Sequence, residues 1–189
     1  MGGSNQVPWF PAWGVSLPEP IENVFSVVSV LNEWRTSNRW LLVSFESIAS
    51  EVHLWTAWYA LRRNEDSEDM IANTPDTEFL RIVSGTHQIN RAFERAGISV
   101  GDEKCWIVYL PEDSLGEGFG DFVIPPGSYN QSSEEAAKLI EHLGGAILAK
   151  RPIPSIRGLE RIGYVPVRDM SIQEMEVGFL SHMALSDLR

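Results

Sequence analysis

The sequence predicts a small mixed α/β domain, a short sheet flanked by several helices. Two short apolar runs, WLLVSFE at 40–46 and CWIVYL at 105–110, read as buried strands. Around them lie stretches with apolar residues at helical spacing and polar caps. The 189 residues are 43% hydrophobic and 22% charged, which suits one domain with a real core.

The elements follow in order. Residues 1–20 carry four prolines and read as an extended or irregular segment, with Trp9, Phe10 and Trp13 as anchors. Residues 21–189 read as the domain proper. IENVFSVVSVLNEW (21–34) has helical spacing. SEVHLWTAWYALRR (50–63) is a helix with Ser50 as N-cap and Glu51 at its positive end. It is apolar on two sides, through Val52, Trp55 and Tyr59 and through Leu54, Trp58 and Leu61, so a partner covers it. NEDSEDM (64–70) reads as a solvated acidic loop.

TPDTEFLRIVSG (74–85) has Thr74 as N-cap, Pro75 at the first helical position and Gly85 as its stop. QINRAFERAG (88–97) follows at once. Its apolar stripe is Ile89, Ala92, Phe93 and Ala96, and Gly97 with Ile98 reads as a Schellman end. Residues 111–131 are a Gly/Pro-rich loop or irregular hairpin. SSEEAAKLIEHLGG (132–145) carries a capping box, Ser132 with Glu135. A short helix fits 155–164. The last helix spans 171–189, with a capping box of Ser171 and Glu174. Ile172, Met175, Phe179 and Met183 line one face; Val177, Leu180, Ala184 and Leu188 line another.

The bulk numbers exclude several classes. No apolar run is long enough to span a bilayer. The start, MGGSNQVPWFP, lacks a secretory pattern, and Gln6 breaks the myristoylation pattern, which predicts a cytoplasmic protein. Cys105 is the sole cysteine and sits in a predicted strand, so it reads as core. A net charge of -11 argues against a broad electrostatic grip on DNA or RNA. A nucleic-acid contact would have to be local and arginine-based.

The histidines, His53, His87, His142 and His182, show no metal-binding spacing. No phosphate loop, dinucleotide fingerprint, nucleophile elbow or convincing nucleophile–base pair is present, so no cofactor, metal or catalytic residue is expected. His53 falls in the first turn of a helix among apolar neighbours and reads first as structural. His87 is different, because it lies between two helices in SGTHQ (84–88). A helix N-terminus offers free N–H groups and partial positive charge to an anion. Gly85 would permit close backbone approach, Thr86 can cap or donate, and His87 and Gln88 add donors and a stacking face. Arg81 lies one turn before. On these residues alone a plain connector and a ligand loop are equally plausible readings.

At this junction the chain resembles a known family. TEFLRIVSGTHQINRAFERAGIS followed by DEKCWIVYLPE is similar to the small kinase-binding subunit of the KEOPS (EKC) complex, the PRPK-binding protein family, in its archaeal type. IASEVHLWTAWYALR, the closing FLSHMALSDL and the early FP resemble it in the same order. The resemblance implies a non-catalytic subunit with two partners. One is the KEOPS kinase subunit; the other is the 3′ CCA end of tRNA, which the complex modifies to N6-threonylcarbamoyladenosine. It points to Ser84, Gly85, Thr86, His87 and Gln88, with Arg81 and His53 nearby, as the tRNA-binding residues. It points to Met175, Phe179, Leu180 and Met183 as a Met-rich kinase-facing surface. Two competing readings are a small-ligand protein or enzyme with a closed pocket around His87, and a protein adaptor without RNA contact.

Overall fold

A computed structural model describes residues 6–116 and 123–188. Four antiparallel strands form one sheet in the order β2-β3-β1-β4: β1 is Ala12–Ser16, β2 Trp40–Ser44, β3 Lys104–Tyr109 and β4 Ala146–Leu148. β3 pairs Ala12↔Val108 on one side and Leu42↔Ile107 on the other. Among the described residues, seven α-helices accompany the sheet: α1 (Val24–Trp34), α2 (Glu51–Asp66), α3 (Pro75–Val83), α4 (Ile89–Ala96), α5 (Ser128–His142), α6 (Ile156–Ile162) and α7 (Ile172–Met183).

Helices cover both faces, which is why the strands read as continuous apolar runs rather than alternating ones. Successive side chains still divide between the faces. Ala12, Leu41, Val43, Trp106 and Val108 join a core with α2, α3, α4 and Met183 of α7. Trp13, Val15, Trp40, Leu42, Cys105 and Ile107 join a second core with α1 and α5. A third cluster, Ala49, Leu159, Ile162, Met175 and Phe179, fixes α6 and α7 to the edge of the first. Cys105 is fully buried and its thiol is pushed up to about 12 by burial, so it is inert packing.

Four readings change. The N-terminal segment is not merely extended: β1 occupies an interior sheet position, and Gly14 lies against the Trp106 ring. Phe10 and Trp13 are buried anchors, while Trp9 stays half exposed. α2 continues to Asp66 because Asn64 is buried and Glu65 pairs with Arg39 and Arg62, so residues 64–66 are not a solvated loop. α5 begins four residues before the Ser132–Glu135 pair, after Gly127 at φ +75. Glu135 instead holds Lys138. Of the loop or hairpin read at 111–131, residues 117–122 lie outside the described residues. The capping boxes fare differently: Ser171 and Glu174 exchange both bonds at α7.

Candidate functional site at the junction of two helices

The α3–α4 junction is where the sequence placed the site. α3 ends in a Schellman motif: the Thr86 N–H reaches the Arg81 carbonyl at 3.3 Å and the Gly85 N–H reaches the Ile82 carbonyl at 3.0 Å. Gly85 takes φ +65, which a residue with a Cβ resists. The motif expected at Gly97 is absent. Gly97 has φ -71 and ψ 163, extended backbone that delivers buried Ile98 to the second core.

Gly85 also has a role other than the expected one. A methyl group there would overlap the carbonyl of His182 on α7. The close approach it permits is therefore α7 packing on the junction, not a ligand.

Arg81 is fully buried and faces inward. Its guanidinium grips Glu78 at 2.7 and 3.0 Å, and donates to the carbonyls of Thr86 and of Ser186 beyond α7. Glu78, itself fully buried, also accepts from Asn64 at 3.0 Å and from the Ala72 N–H at 2.9 Å. Burial pushes the Glu78 carboxyl up, but these bonds outweigh it and hold the carboxyl below its ordinary value. One ion pair thus ties α2, α3, the junction and the C-terminal turn together. The spacing of Glu78 and Arg81 on α3 was the visible signal, but it reads equally as a solvated surface pair.

His53 is also enclosed. Its Nδ1 accepts from the Ala49 N–H at 3.1 Å, and its ring packs on Phe179 at 5.3 Å. Burial lowers its pKa to about 4, more than the Val83 carbonyl restores, so the ring is neutral at pH 7. Arg81 and His53 are therefore not available to RNA in this fold; both act as supports. Ser84 is fully buried as well, and Thr86 nearly so.

The outward half is narrower than the predicted loop. His87 and Gln88 are exposed, as are Asn90 and Arg91 in the first turn of α4. Thr86 Oγ1 accepts from the Gln88 N–H at 3.1 Å and sets the turn. No side chain caps the N-terminus of α4. Among the described residues Arg91 forms no salt bridge, and Arg95 donates to the Ser84 carbonyl at 3.4 Å. The arrangement offers backbone N–H groups, an imidazole, an amide and a guanidinium on one open surface. Neither His53 nor His87 lines any of five well-formed hollows among the described residues.

The Met-rich surface fails for the same kind of reason. Met175, Phe179 and Met183 are buried core, and Leu180 is half buried against the first core. α7 turns Val177 and Ile172 outward instead. Helical spacing located the stripe, but burial against α2 and α6 decided which side faces inward.

No described residues form a metal-holding group, and no helix among them is long and apolar enough to cross a membrane. Comparison with curated proteins finds no match. The family model of the kinase binding protein CGI-121 matches residues 20–157, which takes in α1 to α5, all of β2 to β4 and the whole junction. That match covers well over half of the chain and agrees with the KEOPS resemblance of the junction, so the chain belongs to the CGI-121 family of kinase binding proteins.

Proposed function

We propose that this protein is a non-catalytic KEOPS subunit that docks the complex's kinase and holds the 3′ CCA end of tRNA, supporting N6-threonylcarbamoyladenosine formation. Membership of a kinase binding family supports the first partner. The observation that carries the second is the division of the α3–α4 junction. Its inner half is locked by Arg81, Glu78 and His182, while His87, Gln88 and Arg91 are presented outward at an uncapped helix start. A single-stranded RNA end brings phosphates and unstacked bases, which suit N–H groups, a guanidinium and an imidazole face.

On a chain of net charge -11 the contact is local. Few phosphates are engaged, so binding falls only gently with salt. Gel shifts with intact tRNA and with tRNA lacking CCA test the reading. Binding should drop about 10-fold or more on removing CCA, in line with the loss of one or two stacked bases. Equal binding of both RNAs would remove the CCA role.

A further inference from the structure

α1 is a helix whose sequence and burial disagree. Its first nine residues, VFSVVSVLN, carry no charge, and its apolar residues span more than half of its circumference, leaving Ser26, Ser29 and Glu33 on the rest. An apolar arc that wide is ordinarily covered by neighbouring elements. Here Leu31 alone is buried, Val24, Val27 and Val28 are half covered, and Phe25 is 77% exposed. Hollows open along both flanks. One, of about 310 Å³, lies between Val24 and Val28 of α1, Leu80 of α3 and Phe93 of α4. The other, of about 360 Å³, lies beside Val27 and Val30. An apolar ridge between two grooves is the shape of an interface core.

The surrounding charge says what fits it. Arg35 is neutralised by Asp76 at 2.6 Å. Glu19, Glu22 and Glu33 are exposed around the ridge and make no salt bridge among the described residues. A partner must therefore bring an apolar patch rimmed by lysine or arginine. A second copy of this chain does not, since two-fold pairing would set these carboxylates against their own counterparts. α1 and every residue of the α3–α4-side groove lie inside the family match, whereas α7 lies outside it.

We infer that α1, with Phe25 as its anchor, is the surface on which the kinase docks; this rests on the kinase-binding reading above. The test uses the full chain and the kinase subunit from the same organism, with affinity measured by calorimetry. Phe25→Asp and Ser26→Arg should each weaken binding by about 10-fold or more, as loss of an interface anchor does. Their melting should match wild type, because both side chains are exposed. Val177→Asp on the outer side of α7 should bind within about 3-fold of wild type, as a residue outside the interface does. Tight wild-type binding that survives Phe25→Asp, or is abolished by Val177→Asp, overturns the α1 assignment and leaves the kinase reading intact. No binding by wild type overturns both. A dimer of the chain alone that Phe25→Asp converts to monomer overturns it in favour of a second copy.

Discussion

Two regions break the simple rule of apolar inside and polar outside, in opposite directions. Beneath the α3–α4 junction, Arg81, Glu78, His53, His182 and Ser84 are buried. Along α1, Phe25 stands at the surface and a run of valines is only half covered. Both departures are informative, because buried charge and exposed apolar patches are the exceptions that need a cause. The first is largely answered inside the molecule: Arg81, Glu78 and Ser84 find partners there, and only the Nε2 atoms of His53 and His182 are left without one among the described residues. The second is only partly covered among the described residues, and so points to a partner. The difference separates what holds the site from what the site is offered to.

The strongest break of the buried region is Arg81→Ala. It leaves Glu78 buried without its cation and strips donors from the Thr86 and Ser186 carbonyls. A loss of about 3–5 kcal/mol is expected, read by urea unfolding. Glu78→Leu with Arg81→Met should recover only part of it, because Asn64, Ala72, Thr86 and Ser186 still lose partners. A loss near zero for Arg81→Ala would show the network to be solvated.

Acid comes next. Folded His53 resists protonation until about pH 4, whereas in the unfolded chain it protonates near 6.5. The unfolded state therefore binds the extra proton between those values. Stability is complete above pH 6.5 and falls towards pH 4, by up to about 3 kcal/mol. His182 is shifted the same way, chiefly by burial, and adds to the slope. His53→Asn keeps an acceptor near the Ala49 N–H and should flatten the pH dependence of the melting temperature over that window. An unchanged slope would mean that His53 is not the sensor.

Gly85→Ala should cost about 2–3 kcal/mol, from positive φ plus displacement of α7. The accompanying shift of His182 should broaden its ring resonances in NMR spectra, which places the damage at the α7 contact.

How much of this was legible follows from the same physics. WLLVSFE and CWIVYL were plain because both faces of the sheet are covered. The Ser171–Glu174 box was plain because its bonds are local. β1 was hidden because AWGVS is short and sits among prolines, and only its pairing with β3 and β4 makes it a strand. The candidate junction was visible in the sequence, but its orientation was not. SGTHQ stood out through its glycine and its position between two helices. That Arg81 turns inward depends on Ser186, which is 105 residues away in sequence. Likewise, periodicity found two apolar sides on α7 without saying which one the fold would cover.

The smallest effect on stability gives the sharpest separation, and it falls within the junction itself. His87 is exposed and forms no hydrogen bond or salt bridge among the described residues, although Thr86 before it is buried. His87→Ala should therefore change stability by no more than about 0.5 kcal/mol. If its ring stacks on a base of the CCA end, the same change weakens binding of intact tRNA by about 5-fold or more, the low end of base–aromatic stacking. Binding of tRNA lacking CCA should not move. His87→Phe keeps a stacking face without the donors, so partial rescue by Phe assigns the contact to stacking and none assigns it to hydrogen bonding. A His87→Ala protein that melts as early as Gly85→Ala would place His87 with the buried lock, and the boundary between support and contact would then lie beyond Gln88.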